Sequence, residues 1–576
     1  MGRWAWKAAL ILAFLLSLPA LRGGFCADDT SIILRLEGHL PGSHHPLDLY
    51  RFIDGSTAGV QHLIERGGFP WYTDSHLKLA FFRPLAGALW WAEHAVFARH
   101  AVFYHAQSIL WYLLLVYLAW LLFRRTLPDG LAGLAAILFA MSDTHAMAVA
   151  WLSNRHAVIA TAMMLGGLLL HLRAREDGFR PGWMLSVPCY ALGLCAGETA
   201  LGMLAYLYSY ELLGRSDFLK SRIKALLPST LLVLGYLIIY KVLDYGAAGS
   251  AGYLDPLAEP VAFLRAAPER VLLLLGSFLG GAPADVASAR PELGPLAAAL
   301  GLGLVLLAVL ILLAAWRSLD AAQRRTFRWL IAGAALSLIP SLGGYPGTRL
   351  LLPASLGGVA LLALLLRHAY GRTRAGRLPT KLLFALLVVL YGLRPPVIFT
   401  FLVAKMNQLG GLGARLAQTS ELPSDKATAV VVLAAADPLV GMFSSSVFQM
   451  QTGREMRAWW TLSMAEREHE VSRLAADTLE LQVRDGRMLE SASERLCRRP
   501  TQRFQVGDRV TLLGAEVRIL SEQAGRPTRI AVKFDRSLDD PTLWFVAWRD
   551  GALRRLTIPG PGAVLHLPHT PGPTGD

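Results

Sequence analysis

Length, composition and charge exclude a single soluble domain. The chain has 576 residues, of which 54% are hydrophobic and 17% are charged, and its mean hydropathy is +0.42. Long runs of apolar residues on this scale are typical of a polytopic membrane protein. The formal charge of +14 comes largely from Arg and Lys residues between those runs, where it indicates membrane topology rather than nucleic-acid binding.

Eleven apolar runs predict about eleven transmembrane helices. The first run resembles a signal peptide, and we interpret it as an uncleaved first helix. The predicted spans are 5–25, 100–123, 130–148, 156–172, 182–197, 200–214, 225–243, 294–316, 326–342, 348–366 and 381–403. Positively charged connections favour the cytoplasm, which predicts a cytoplasmic N-terminus and an extracytoplasmic C-terminus from the basic clusters at 124–125, 173–180, 215–224, 317–328 and 367–381.

The sequence divides into two predicted domains. Residues 1–404 form a polytopic domain, mainly α-helical, whose first large outer loop covers 26–99. Within this domain, the apolar part of 265–281 is too short to cross the membrane. A crossing there would also place the basic cluster at 317–328 outside the cytoplasm. We therefore expect a re-entrant or interfacial helix, with a twelfth crossing as the alternative. Residues 425–576 form a β-rich extracytoplasmic domain.

Short β-type runs separated by turn signals predict the strands of this second domain. A helical patch is predicted at about 456–475, and whether the strands make a sandwich or a barrel stays open. The predicted strands are Ala429–Leu433, Thr478–Val483, Val510–Leu512, Arg529–Phe534, Leu543–Ala547 and Ala563–Leu567.

Four cysteines in so long a chain do not make a disulfide scaffold, and no zinc-type spacing is present. Cys189 and Cys195 lie in one predicted span and cannot face each other on a helix. Cys26 and Cys497 could both lie outside the membrane and pair, which stays a minor alternative.

Polar residues at the outer ends of the spans predict a site. Asp28 and Asp29 follow the first span directly, at the water–lipid boundary, where a partly desolvated carboxylate can act as a base. Further acids, imidazoles and guanidiniums are expected on the same membrane face, namely Arg83, His105, Asp143, His145, Arg155, His156, Glu198 and Arg349. Each has a simpler interpretation: solvated flanks for the aspartates, a helix cap for Glu198, and headgroup anchors for the arginines.

Three of these stretches resemble motifs of a known family. Residues 142–156 read SDTHAMAVAWLSNRH, residues 82–85 read FRPL, and residues 197–199 read GET. In order and approximate spacing, they are similar to the HP-x-H-x-E-AV-x-W-I-x-x-R, Y/F-R-P-L and K-E-T/S stretches of polytopic glycosyltransferases with the GT-C fold. The chain resembles the O-mannosyltransferase-like branch in particular, over residues 1–215. It differs in lacking tetratricopeptide repeats, and in Asp143, Met147 and Gly197, which replace the family's Pro, Glu and Lys.

The resemblance implies a membrane enzyme that moves a sugar from a polyprenyl-phosphate carrier to an acceptor on the outer face, with inversion at the anomeric carbon. It implies Asp28 or Asp29 as general base. The donor phosphate would then be bound by Arg83, Arg155 and Arg349. The side chains that would orient the acceptor are His105, His145, His156 and Glu198. No cofactor is certain, and a divalent cation held with the acidic pair is an option. The acceptor is not specified.

Two other classes of function stay open from the sequence. A lipid or polysaccharide transporter or flippase would need polar residues near the membrane midplane, and Arg394 in the last span is one. A non-catalytic envelope scaffold could bind sugar through Trp544, Phe545 and Trp548, although alternation along a strand makes some of these core residues. Short loops favour a bacterial inner membrane.

Overall fold

The structure is a computed structural model that describes residues 4–40, 45–374 and 376–573. Helices form nearly all of the regular structure up to residue 419, and strands dominate after it. The helices of this first part are α1 Ala5–Ser17, α2 Asp28–Leu36, α3 Thr57–Arg66, α4 Pro84–Phe97, α5 Ala101–Thr126, α6 Asp129–Ala140, α7 Ala146–Ala150, α8 His156–Glu176, α9 Pro181–Ala196, α10 Thr199–Ser209, α11 Leu219–Val242, α12 Pro260–Phe278, α13 Ala284–Ala289, α14 Gly294–Trp316, α15 Ala321–Ser341, α16 Leu352–Thr373, α17 Leu378–Val388, α18 Arg394–Gly410 and α19 Leu412–Thr419.

The chain is a multi-pass membrane protein, but eleven spans are not confirmed. In the described residues, seven helical segments are long and apolar enough to cross a membrane, or eight if the bent pair of α6 with 143–150 is one span. Helices α9 and α10 are too short because the chain turns between them at Gly197 and Glu198. Helix α15 falls outside the set because its first two turns carry Arg324, Arg325 and Arg328.

Burial separates the central helices from the outer ones. The spans that contain α16 and α8 are 83% and 72% buried, whereas those that contain α11, α14 and α18 are only 22% buried. A helix that is apolar all round belongs either in a protein core or against lipid. We therefore place α8 and α16 at the centre of the bundle and α11, α14 and α18 at its lipid-facing edge. Segment 265–281, predicted to be re-entrant or interfacial, contains most of α12, from Arg265 to Phe278, and its relation to the membrane stays a prediction.

The first loop is folded rather than extended. Besides α2, α3 and α4, it contributes β1 Arg51–Asp54 and β2 Lys78–Ala80, which pair antiparallel. A third strand, β3 Gly246–Ala248, adds to β2 from the segment that follows α11. This small sheet fixes the loop over one end of the bundle, next to the last turn of α11.

The C-terminal region is a two-sheet β structure with one long helix. All six predicted strand positions hold strands, whereas the helical patch at 456–475 is wrong, since strands Ala458–Thr461 and His469–Ala475 occupy it. The long helix lies earlier, at Pro438–Thr452. The elements are β4 Ala429–Val432, α20 Pro438–Thr452, β5 Ala458–Thr461, β6 His469–Ala475, β7 Thr478–Val483, α21 Glu494–Cys497, β8 Arg509–Leu512, β9 Ala515–Gln523, β10 Arg526–Phe534, β11 Leu543–Arg549, β12 Ala552–Arg555 and β13 Val564–Leu567.

The order of strands explains the two sheets. One sheet has six antiparallel strands in the order β13-β6-β7-β10-β9-β8, and the other has four in the order β12-β11-β4-β5. In the smaller sheet, β4 runs parallel to both β11 and β5. The connection between β4 and β5 contains α20, as a parallel crossover requires.

The first loop and the C-terminal region share one apolar core. Val60 and Ile64 of α3 belong to the same buried cluster as Val431 and Trp460. The indole of Trp71 is also buried there and donates a hydrogen bond to the carbonyl of Leu462 at 2.8 Å. Trp460 in turn donates to the carbonyl of Glu65 at 2.7 Å. The outer loop is thus packed between the membrane bundle and the β sheets.

Two predictions about individual side chains are settled here. All four cysteines, which lie in the described ranges, are free thiols, so Cys26 and Cys497 do not pair. Phe545 and Trp548 are core residues, with 4% and 6% of their surface exposed. Trp544 is covered in part by Arg555, whose guanidinium lies 3.7 Å from the ring centre. These aromatics therefore do not form an exposed sugar-binding face.

Candidate functional site

A cavity of about 290 Å³ lies between the first loop and the adjoining ends of the helices. Its walls come from the start of α2, the β1–β2 region, the segment before α8, the α9–α10 turn, the end of α11 and the segments that precede α12 and α16. Five of the predicted site residues line it: Asp28, Arg83, His156, Glu198 and Arg349. Sequence positions more than 300 residues apart therefore meet in one place.

Asp28 faces this cavity from the first turn of α2. The residue before it, Ala27, has φ 47° and ψ −122°, a conformation that costs a residue with a side chain on the order of 1–3 kcal/mol. In the described part of the chain, no hydrogen bond or ion pair holds the Asp28 carboxylate. Burial raises its pKa to about 6, although the positive charges of Arg349 and Arg83 lower it. A carboxylate of this kind can accept a proton near neutral pH.

Asp29 points away from the cavity and is fully buried. Its carboxylate accepts hydrogen bonds from the backbone N–H of Cys26 at 3.1 Å and of Ser153 at 2.7 Å, and from the Ser153 hydroxyl. Burial raises the pKa of Asp29 to about 6, although these three hydrogen bonds lower it. Its contacts tie the start of α2 to the segment before α8, so Asp29 positions its neighbour rather than facing a ligand.

The two cavity arginines differ in how their charge is balanced. Arg83 Nε donates to Glu198 Oε2 at 2.8 Å, which makes a half-buried ion pair. Arg349 stacks over the Trp151 ring at 5.7 Å from its centre. Among the described residues, it has no carboxylate within ion-pair distance. Arg349 is thus the guanidinium that can still pair with an anion.

Several buried polar atoms around the cavity lack partners. In the described chain, no hydrogen-bond partner is found for Trp151 Nε1, Asn154 Nδ2, His156 Nδ1 or Glu198 Oε1. Buried polar groups are nearly always satisfied, so these four atoms are available to bind water or the polar groups of a ligand. The His156 ring packs edge-on against Tyr50. A Cβ at Gly197 would lie 2.5 Å from His156 Nδ1, which explains why this chain has glycine before Glu198.

One wall of the cavity is apolar and belongs to a lipid-facing helix. Tyr236, Leu237 and Tyr240 of α11 line the cavity, while Ile238 and Ile239 of the same helix are exposed on its outside. Lys241 and Asp255, which the sequence analysis did not select, form an ion pair at 2.7 Å at this end. The cavity therefore joins a polar end to an apolar end that borders the lipid.

Besides Asp29 and Asp143, three more predicted site residues lie outside the cavity lining. Arg155 forms a buried, two-pronged ion pair with Glu93. His145 lies between the Tyr112 hydroxyl at 3.2 Å and the Ser355 hydroxyl at 2.9 Å. His105 contacts the carbonyl of Gly24 at 3.4 Å. These side chains support the helices around the cavity and do not face it.

Metal-ligating side chains do not cluster in the described part of the chain. In the described ranges, no group of three or more His, Cys, Asp or Glu side chains could hold an ion. Asp143 is instead 3.5 Å from Arg394 in an ion pair, and Arg394 also donates to the carbonyl of Gly281. The charge of Arg394, which had favoured a transport pathway, is therefore compensated locally.

The comparisons with known proteins give one structural likeness. No family model and no curated protein match the sequence. Among solved structures, the chain is similar to the oligosaccharyltransferase of Archaeoglobus fulgidus tethered with an acceptor peptide, to its AglB in complex with an inhibitory peptide and a dolichol-phosphate, and to its apo form. The identities are 11%, 13% and 12%, and the TM-scores are 0.42, 0.40 and 0.41. Each match covers 79% of this chain, which spans only 64–65% of those proteins.

Proposed function

We propose that this protein is a membrane glycosyltransferase of the GT-C type, which moves a sugar from a polyprenyl-phosphate carrier to an acceptor on the outer membrane face. One observation supports this most strongly. A single cavity combines an unpaired carboxylate, an arginine without an acidic partner and an apolar wall on a lipid-facing helix. A lipid-phosphate sugar has the matching parts: an anionic group, a polar sugar and a long apolar tail.

The charges of the cavity favour a monophosphate donor. Its lining has three cationic side chains, Arg83, Lys241 and Arg349, and three carboxylates, Asp28, Glu198 and Asp255. Glu198 and Asp255 neutralise Arg83 and Lys241, which leaves Arg349 opposite Asp28. One phosphodiester charge balances Arg349 through two parallel hydrogen bonds. A diphosphate would bring at least one further negative charge without a partner.

The chemistry follows from these roles. The acceptor hydroxyl gives its proton to the Asp28 carboxylate, and its oxygen bonds to the anomeric carbon of the sugar. The bond from that carbon to the phosphate oxygen breaks, and its electron pair stays on the phosphate. Arg349 stabilises the charge that develops there. Attack opposite the leaving group inverts the anomeric centre, and no step requires a metal ion.

The partnerless N–H groups suit the sugar itself. Trp151 Nε1 and Asn154 Nδ2 are donors, and His156 Nδ1 can donate or accept. A hexose has several hydroxyls that can fill such positions, and a site with unpaired donors discriminates against ligands that leave them empty. We therefore expect the side chains at this end of the cavity, between Tyr50 and Glu198, to determine which sugar binds.

The base assignment is tested by Asp28→Asn. Purified protein in nanodiscs is given radiolabelled polyprenyl-phosphate mannose as the probe donor together with membranes as acceptor. Asp28→Asn should lose transfer and keep its stability, because it removes a buried charge that lacks a hydrogen bond. Asp29→Asn is the contrasting variant and should lose stability, because Cys26 and Ser153 donate to that carboxylate. Full transfer by Asp28→Asn would disprove the assignment.

The phosphate role is tested separately by donor binding. Arg349→Gln should weaken the binding of polyprenyl phosphate by tenfold or more, and Arg349→Lys should recover part of it, since a bidentate contact is lost but the charge remains. Arg290→Gln is the matched control, because Arg290 is exposed and lies outside the cavity. Movement of the lipid across vesicles without a covalent product would instead favour a flippase.

A further inference from the structure

A second concave surface lies on the C-terminal region, apart from the cavity described above. It is a depression of about 20 Å³, enough for one or two water molecules or the end of a small ionic group. Four of its eight lining residues are arginines. The complete lining is Leu489, Arg495, Arg498, Arg499, Pro500, Gln502, Gly525 and Arg526. We call this surface the arginine pocket.

Two of the four arginines are already engaged. Arg499 forms an ion pair with Glu259. Arg498 donates to the carbonyls of Gln502 at 2.9 Å and Tyr72 at 3.2 Å, and its guanidinium covers the ring of Phe504. These contacts join the pocket to the first loop and to the segment before α12. Arg495 and Arg526 are the two remaining arginines of the pocket.

Arg495 and Arg526 form no ion pair among the described residues, although the negative charges of Glu494 and Glu292 act on Arg495. Within the described part of the chain, neither side chain makes an ion pair or a hydrogen bond. The nearby Glu494 carboxylate is occupied, because it accepts from the N–H groups of Leu489 and Ser491 and from the Ser491 hydroxyl. Burial lowers the pKa of Arg495, and the like charge of Arg526 lowers it further. Arg495 Nε is buried without a partner, as is Arg499 Nε.

The pocket borders the catalytic cavity without being part of it. The backbone N–H of Ala251 donates to the carbonyl of Arg495 at 3.0 Å. The positive charges of Arg349, in the cavity, and of Arg495, in the pocket, both lower the pKa of Tyr345. One layer of chain, formed by the segments around Ala251 and Tyr345, therefore separates the two. A ligand in the pocket would lie beside the wall of the cavity.

We propose that the arginine pocket binds an oxyanion, namely a phosphate or carboxylate group. Two oxygens of such a group can bridge Arg495 and Arg526, and the buried Nε atoms supply further donors. Bound anion removes the repulsion between the two guanidiniums, which otherwise destabilises the region. The assignment does not depend on sugar transfer, and binding in this pocket can be measured without it.

The test is the melting temperature of the purified full chain at constant ionic strength. Replacing chloride by inorganic phosphate or acetate should raise the melting temperature of the wild type by several degrees, because a ligand that binds only the folded state stabilises it. Arg526→Gln should melt higher than the wild type in chloride, since the repulsion is gone, and should no longer respond to phosphate. Arg509→Gln, an exposed arginine on β8, should respond as the wild type does.

Two further arms identify the source of the anion. If a lipid headgroup fills the pocket, nanodiscs with phosphatidylglycerol should stabilise the wild type over phosphatidylcholine nanodiscs, and Arg526→Gln should abolish the difference. If a soluble ligand fills it, only phosphate or acetate should act. Arg495→Gln repeats both arms should Arg526→Gln fail to fold. Equal responses of wild type and both variants to every anion would overturn the proposal.

Discussion

The buried ion pair between Arg155 and Glu93 gives the sharpest test of how structural and functional arginines differ. Arg155 was expected to bind phosphate, yet only 1% of its surface is exposed. Its guanidinium donates to Glu93 at 2.6 Å in one of two bonds, and also to Gln107 at 3.2 Å. Removing one member of such a pair costs about 3–5 kcal/mol, whereas replacing both by apolar residues is often neutral.

The two single variants should differ from each other. Glu93→Met leaves a buried guanidinium that cannot lose its proton, so we expect the full 3–5 kcal/mol at every pH. Arg155→Met leaves Glu93, whose pKa burial already raises and which can be neutralised. Protonating a glutamate of ordinary pKa costs about 3.7 kcal/mol at pH 7 and about 1 kcal/mol at pH 5. The cost of Arg155→Met should therefore fall as the pH is lowered.

The assay is equilibrium unfolding in mixed micelles, read as the free energy of unfolding at pH 5 and pH 7. The double variant should lie within about 2 kcal/mol of the wild type, far less than the sum of the singles. Arg349→Met serves as the control, because it should lose donor binding without losing stability. The reasoning would be refuted if Arg155→Met kept wild-type stability at pH 7 and lost polyprenyl-phosphate binding.

Three further predictions concern the cavity. The rate of transfer should fall about tenfold per pH unit below pH 6 and level off above it, because Asp28 must be ionised. In Arg349→Lys the fall should begin at higher pH, because the displaced positive charge lowers the Asp28 pKa less. A rate that does not depend on pH would exclude Asp28 as the base. Ala27→Gly should raise the free energy of unfolding by about 1 kcal/mol by relieving backbone strain, measured by denaturant titration, and a loss of stability would contradict that strain. Gly197→Ala should lower the free energy of unfolding by about 1–3 kcal/mol and reduce transfer, because the added Cβ displaces the His156 ring. Wild-type values in both assays would contradict this prediction.

Five of the residues selected from the sequence line one cavity, but the sequence could not assign directions to side chains. Asp28 and Asp29 are adjacent, and helix geometry sends one into the cavity and the other into the protein. Arg155 and His156 are likewise adjacent, and only His156 lines the cavity. The partner of Arg155 is Glu93, in the middle of α4, where no motif marked it. Lys241 and Asp255 were missed because their pairing depends on how α11 meets the following loop.

The same limit explains the outcome for the fold. Alternating apolar residues revealed strands such as Thr478–Val483, because one face of the strand is buried and the other is not. Strand Ala458–Thr461 has all four residues buried, so it lacks that alternation and was absorbed into a predicted helix. Its parallel pairing with β4 is a long-range contact that overrides local preference. The count of eleven spans is not confirmed, because some predicted spans hold short helices, such as the 16 residues of α9 and the 11 residues of α10 on either side of Gly197.

The contact of α2 with α20 has a consequence for biosynthesis. The Thr30 hydroxyl lies 3.1 Å from that of Ser446, and α3 is buried against strands that follow it by some 400 residues. The ribosome therefore finishes the described membrane helices before α20, which contacts α2, and the strands that cover α3 are made. A nascent chain released early would therefore leave the apolar faces of α2 and α3 without the partners that bury them in the complete protein.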